Sequence, residues 1–381
     1  MRSVARTLLL ALAVVGCSST AAPVATPSRA ASASPIAAPT PRETAATPAV
    51  SAAASLGPGV LPVPTFPSAR ALLYDTDVAA DDLIALSFLV SSPNVDLVGI
   101  TVSGTGEAHC EGGVDVVLRL LDRLHAPDLP VACGRTTPIA GSHAFPDAWR
   151  SAVDSGSGVQ LPATTRTAST STAVELITNL SQRHPDLHVL ATGPLTNLAD
   201  ALAADPGLAG RLGPVTVMGG ALHVPGNIAG PGAPQGNAVA EWNIYVDPAA
   251  AQGVLDAGIR PTFVTLDATN QVPVTFEFIR QAIAAADGGD GGGEGGQVLG
   301  DLFRANAWMT SGYYLWDPLA AEVAAGYDIG TFGAARVKVL LNDGPASGLL
   351  QPGTGVPNIR TVDNVDSDAA RAILLALLNG R

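Results

Sequence analysis

From residue 71 onward, short apolar runs rich in β-branched residues alternate with helix-length stretches, and this alternation limits the folds open to the chain. Residues 71–74, 95–102, 187–191, 215–218, 262–266 and 337–341 read as buried strands. Helical patterns fall between them at 81–90, 114–124, 173–180, 248–255 and 276–285. The alternation predicts a single α/β domain, residues 68–381, on a mostly parallel central sheet flanked by helices. In such sheets ligands collect outside the carboxyl ends of the strands, so chemistry is expected there. The glycine-rich tract 288–296 is too short to divide the domain and is expected to be a mobile surface loop.

The residues before this domain have a different character. Arg2 and Arg6 precede an apolar run, 8–15, that is too short to span a bilayer. The run ends in Val14-Val15-Gly16-Cys17, which resembles a bacterial lipoprotein cleavage site. Residues 1–16 are therefore expected to be a signal peptide, with Cys17 the acylated residue and a membrane partner through that anchor. Residues 17–67 are almost wholly Ala, Pro, Ser and Thr and cannot bury enough apolar surface to offset their ordering entropy. They are expected to be a disordered tether on an exported, extracytoplasmic protein.

A formal net charge of −13 excludes nucleic-acid polymers as partners, because no basic stripe exists to neutralise phosphates. Besides Cys17 the chain has Cys110 and Cys133, too few for a cysteine-framed zinc site. An exported protein can keep a disulfide, and the sequence leaves their pairing open.

The densest chemistry follows the first strand, in Asp75-Thr76-Asp77-Val78-Ala79-Ala80-Asp81-Asp82. Crowded carboxylates raise one another's pKa values unless a cation neutralises them, and oxygen ligands favour calcium or magnesium. Acidic capping of the following helix accounts for one or two of these groups but not for all of them. The Asp75-Thr76-Asp77 segment also resembles the Asp-x-Asp motif of haloacid-dehalogenase-like phosphatases. Those enzymes need a downstream lysine, and the single lysine here, Lys338, stands in a strand-like run near the end.

The same segment is similar to the amino-terminal signature of the nucleoside hydrolase family, and further matches follow in order. They are 191–198 (Ala-Thr-Gly-Pro-Leu-Thr-Asn-Leu), Met218-Gly219-Gly220, Ala240-Glu241-Trp242-Asn243-Ile244 with Val246-Asp247-Pro248, and Trp316-Asp317-Pro318. The resemblance implies calcium-dependent hydrolysis of the N-glycosidic bond of ribonucleosides by a metal-bound water that Asp77 activates. It implies a calcium shell of Asp77, Asp82, Asp317 and the carbonyl of Thr192, with Asp75 in support. Asp81, Glu241, Asn243, Met218 and an asparagine in the preceding loop, Asn227 ahead of Asn237, would hold the nucleoside. A surface lipoprotein that binds nucleosides without cleaving them is the alternative. The oligomeric state, a homo-oligomer included, is left open.

The chain departs from the family pattern at two places. Ser103-Gly104-Thr105-Gly106-Glu107 stands where the family often has Gly-Asn, so Thr105 is the expected substitute. Trp316 occupies the position where many members have a histidine that protonates the leaving base. The purine-specific branch is similar in having tryptophan there, with the base stacked between indoles. This implies Trp316 as one plate, Trp149 as a second, and a preference for purine nucleosides.

Overall fold

The computed structural model describes residues 68–288 and 293–380, so Cys17 and the expected leader and tether lie outside the described residues. The first half runs β1 (Arg70–Thr76), α1 (Ala80–Ser91), β2 (Val95–Val102), α2 (Cys110–Arg123), β3 (Val131–Cys133), α3 (Asp147–Val153), α4 (Ala173–Arg183), β4 (Leu187–Ala191) and α5 (Thr196–Ala204). It continues with β5 (Leu212–Met218), α6 (Trp242–Val246), α7 (Pro248–Asp256), β6 (Thr262–Val264), α8 (Leu266–Thr269), α9 (Phe276–Ala286) and α10 (Glu294–Ala305). The last elements are α11 (Trp316–Ala324), β7 (Gly330–Ala335), β8 (Val337–Val339), β9 (Leu350–Pro352), β10 (Ile359–Val365) and α12 (Ser367–Leu378).

Eight strands form one sheet in the order β3-β2-β1-β4-β5-β6-β10-β7. Every pairing in it is parallel except that of β7 with β10. Both faces are covered, as the near-continuous apolar strands require. Leu72 and Tyr74 of β1 enter one core with α1, α2 and α9 to α12, whereas Leu73 enters the other with α4, α5 and α7. That switch is the two-residue period of a strand. The chain moves outward from β1 through β2 to β3, then returns to the other side of β1 as β4. The order reverses between β1 and β4, where α/β sheets open a crevice at their carboxyl ends.

Two sequence expectations are corrected. Residues 337–341 were expected as a strand of the main sheet; residues Val337–Val339 instead pair antiparallel with β9 in a separate hairpin. The glycine-rich tract is not all loop, because α10 already begins at Glu294. Gly295 and Gly296 pack so closely on α12 that an added Cβ would come within 2.7 and 2.3 Å of Leu378 and Asn379.

Cys110 and Cys133 form a disulfide between the start of α2 and the end of β3, with Cα atoms 5.6 Å apart. Closing a loop over a sequence separation of 23 residues restricts the unfolded chain by about 3 kcal/mol. The Cys110→Ser/Cys133→Ser protein is expected to unfold at a clearly lower denaturant concentration than the oxidised parent. Coincident unfolding curves would show that the bridge contributes nothing.

Candidate active site

β1 delivers its carboxylates through an abrupt turn. Val78 sits at φ 66°, a left-handed conformation that a β-branched residue adopts only under constraint. Its N–H donates to Thr76 Oγ1 at 3.0 Å, and the turn sends Asp77 forward while α1 opens with Asp81 and Asp82 in its first turn. Asp77 lies between two glycines from neighbouring loops. A Cβ on Gly106 would stand 2.1 Å from the Asp77 Cβ, and one on Gly193 2.7 Å from it. Only glycine at both places lets the loops after β2 and β4 close around this carboxylate. Glu107 N–H donates to Asp77 Oδ2 at 3.0 Å, and Ala108 N–H donates to the Asp77 carbonyl at 2.9 Å.

Asp82 is oriented by hydroxyls. Tyr74 OH and Thr192 Oγ1 donate to its Oδ1 at 2.9 and 2.7 Å, and the Thr76 hydroxyl donates to the same oxygen. Its Oδ2 is buried with no hydrogen-bond partner. Asp81 accepts from Tyr313 OH at 2.7 Å and from the backbone N–H of Asp317 at 3.3 Å. Asp317, in the first turn of α11, completes a group in which oxygens of Asp81, Asp82 and Asp317 all lie within 4.8 Å of one another.

Asp75, near the end of β1, is buried and feels the charge of Asp82. Thr101 Oγ1 and Asn197 Nδ2 donate to its Oδ1 at 2.6 and 2.7 Å, and its Oδ2 is buried without a partner. Its hydrogen bonds run to side chains of β2 and α5, so it ties the sheet and a flanking helix together under the site.

Burial and mutual repulsion push these groups upward. Burial, opposed by the Thr101 and Asn197 bonds, puts Asp75 at about 7. Burial and the neighbouring Asp82 put Asp81 at about 6. Asp77 is held well above the usual carboxylate range by burial, then by Asp82 and Glu107. Asp317 is raised by burial, then by Asp81 and Asp82. Glu107, which sequence reading passed over, reaches about 8 through burial and the charges of Asp81 and Asp82. A bare carboxylate oxygen amid mutually destabilised acids is the environment that a hard divalent cation relieves. Asp82, Asp317, Asp77 and Asp81 have the right donor chemistry to hold one.

A second set of polar groups arrives from β4, β5 and α6. Glu241 caps α6, accepting from Asn243 N–H (2.9 Å), Ile244 N–H (3.2 Å) and Gly220 N–H (2.9 Å). It is 2 % exposed and raised to about 7 by burial despite those bonds. Asn243 Nδ2 donates to the carbonyls of Thr192 (2.9 Å) and Met218 (3.3 Å), joining the ends of β4 and β5 to α6. Glu241 and Asn243 thus stand at a buried helix start. Asn227 Oδ1 accepts from Trp242 N–H at 3.1 Å, which puts it beside that start. Asn237 is engaged elsewhere, accepting from Val239 and Ala240 N–H and donating to the Ser347 carbonyl at 2.8 Å.

Thr105 bonds Thr196 and Ser103 at 2.9 and 3.1 Å, knitting the loop after β2 to the start of α5. Trp316 begins α11, with its ring 4.5 Å from Tyr313 and 5.6 Å from Tyr314 and its Nε1 buried without a partner. Trp149 lies on α3, 5.4 Å edge-on to Trp242, and its Nε1 donates to the Pro231 carbonyl at 3.1 Å. Lys338, which the phosphatase reading requires, is exposed on β8 outside the eight-stranded sheet.

The residues that sequence reading missed here are Tyr74, Asn197, Glu107 and Tyr313. Glu107 and Asn197 lie inside segments already singled out and Tyr74 adjoins one, so proximity was an available signal. Tyr313 had none, because its partner Asp81 is 232 residues away.

Comparison with known proteins agrees with this geometry. The profile of the inosine-uridine preferring nucleoside hydrolases matches residues 72–372. A pyrimidine-specific ribonucleoside hydrolase of Klebsiella pneumoniae is 34% identical over 215 residues, 55% of this chain and 65% of that protein. The chain therefore matches just under two thirds of that relative's length. A probable uridine nucleosidase of Oryza sativa is 28% identical over 275 residues, 70% of this chain and 80% of that protein. Among solved structures, an inosine-uridine preferring nucleoside hydrolase from Bacillus anthracis superposes with TM-score 0.70 at 26% identity, covering 82% of this chain and all of the other (100%). A purine-preferring ribonucleoside hydrolase from Gardnerella vaginalis gives TM-score 0.69 at 27% identity, covering 82% and 98%.

Proposed function

Because the chain belongs to the inosine-uridine preferring nucleoside hydrolase family, we propose that it hydrolyses the N-glycosidic bond of ribonucleosides with calcium at its carboxylate cluster. Purine nucleosides are the favoured substrates in this reading. The observation that carries it is the group of Asp81, Asp82 and Asp317 oxygens within 4.8 Å of one another, with Asp82 Oδ2 left bare and Asp77 near enough to raise Asp317.

Asp77, Asp82, Asp317 and the Thr192 carbonyl would hold the ion. The Thr192 carbonyl already accepts from Asn243 but keeps a second lone pair. Calcium in that place supplies positive charge that keeps the carboxylates ionised and lowers the pKa of a coordinated water.

The protein groups divide the remaining work. Asp77, fixed between Gly106 and Gly193, accepts the proton of the attacking water. Asp81, Glu241, Asn243 and Asn227 take the ribose hydroxyls, and the Met218 carbonyl and sulfur lie alongside, bonded by Asn243. The buried carboxylates present a negative field to the ring as it gains oxocarbenium character. Trp316 cannot donate an acidic proton, so it acts by stacking on the departing base, held at its angle by Tyr313 and Tyr314.

The test is ribose release from inosine, guanosine, uridine and p-nitrophenyl riboside by the full chain in calcium. Turnover of at least one nucleoside supports the proposal; tight nucleoside binding with no ribose from any of them would sink it. Stacking is worth about 1–3 kcal/mol per base, so Trp316→Ala is expected to slow purine nucleosides by about 10- to 100-fold. p-Nitrophenyl riboside, whose leaving group needs no protonation, will lose less. Equal losses would refute stacking as the means of activation.

A further inference from the structure

On distance alone Asp81 is as good a cation ligand as Asp82, since one oxygen of each stands in the same 4.8 Å group with Asp317. Their hydrogen bonds separate the two. Asp82 spends one oxygen on hydroxyl donors and leaves the other bare. Asp81 has a donor on each oxygen, Tyr313 OH on Oδ1 and Asp317 N–H on Oδ2. Both donors come from the segment that enters α11, so one stretch of chain supplies the ligand Asp317 and restrains Asp81.

Tyr313 is itself fixed. Its ring lies 4.5 Å from Trp316 and 5.5 Å from Trp308, both edge-on. Its backbone N–H donates to the Met309 carbonyl at 3.1 Å, and its carbonyl accepts from Val274 N–H at 2.9 Å. The hydroxyl therefore projects from a rigid aromatic seat, and the carboxylate it holds cannot rotate freely toward the other acids.

We propose that Tyr313 is a positioning residue that reserves Asp81 for the sugar and withholds it from the cation. The sugar half of this statement rests on the proposed nucleoside hydrolysis; the cation half stands on the hydrogen-bond pattern alone. Tyr313 also packs on Trp316, so the same ring sets the sugar grip and the angle of the base plate relative to each other. A nucleoside is then recognised as a unit of sugar and base.

The experiment uses the full chain and Tyr313→Phe, which keeps the ring contacts and deletes the hydroxyl. Calcium affinity is measured by titration calorimetry, and KM and kcat for inosine by ribose release. With Asp81 free to turn inward, calcium is expected to bind about 3- to 10-fold more tightly, while KM for inosine rises about tenfold and kcat changes much less. General loosening of the site would weaken both affinities together, and that result, or no change in either, overturns the proposal. Asp81→Asn provides the control, because in its background Tyr313→Phe will leave calcium affinity unchanged. A calcium gain that persists there also overturns it. If the parent chain neither cleaves nor binds nucleosides, the hydrolase reading fails, and the calcium titrations still decide whether Tyr313 restrains Asp81.

Discussion

Asp77→Asn will release ribose from inosine about a thousandfold more slowly than the parent at saturating calcium, as loss of a general base predicts. The asparagine keeps the size that fits between Gly106 and Gly193 and an oxygen able to accept from Glu107 N–H. It cannot take a proton, and it brings no charge to the cation. The fold will not suffer. Asp77 is pushed up by burial and by Asp82 and Glu107, so removing its charge relieves the calcium-free protein, and the variant will melt no lower than the parent in chelator. Opposite movements of rate and stability are the signature of a group kept for chemistry. A variant within tenfold of the parental rate would show that another residue accepts the proton.

The second large effect is a pH sensitivity that calcium suppresses. In the unfolded chain Asp and Glu titrate near 4. In the calcium-free fold Asp81 keeps its proton to about 6, Asp75 and Glu241 to about 7 and Glu107 to about 8. Across the interval from about pH 4 to pH 8 the folded state therefore binds more protons than the unfolded state, and stability falls as pH rises. Below that interval both states are protonated and the difference closes. In chelator, the melting temperature is expected to drop by roughly 10 °C between pH 5 and pH 8. In the proposed reading calcium binds the ionised form, so a thousandfold excess over its Kd adds about 4 kcal/mol where the carboxylates are charged. Differential scanning calorimetry at several pH values, with and without calcium, will show the slope flatten when the ion is present. A melting temperature in chelator that is constant over this range would refute the picture of acids raised by burial and crowding.

The parts of the fold that were legible in the sequence are those whose side-chain period is local. Strands β2 and β4 fall at the expected residues, and α1 spans Ala80–Ser91 against an expected 81–90. Some of the elements that escaped lack such a period, although α10, α12 and β10 have one and were still passed over. β3 is three residues long, and β7, Gly-Thr-Phe-Gly-Ala-Ala, is a small-residue edge strand with no fully buried position to set an alternation. α11 is buried over most of its surface, so Trp-Asp-Pro-Leu-Ala-Ala-Glu-Val-Ala has no polar stripe to mark it as a helix.

The candidate site divides in the same way. Carboxylates crowded after one strand announce themselves, since charge at that density needs a remedy whatever the fold. The hydroxyls that aim them do not. Tyr74 reads as a core residue, and Thr192 reads as a carbonyl ligand though its side chain also grips Asp82. Thr101 and Asn197, which hold Asp75, become neighbours only when β2 and α5 have taken their places against β1.

Asp82 lies near the start of the domain and Asp317 near its end, yet their carboxyl groups meet. Bringing them together closes most of the chain into a loop, a contact of very long sequence separation that forms late and slowly during folding. On a ribosome, the amino-terminal carboxylates emerge long before the partner that completes their group. The nascent chain thus carries acids that can stay protonated or hydrated until α11 docks. Under the proposed ion binding, a loaded site therefore reports that segments more than half the domain apart in sequence have come together.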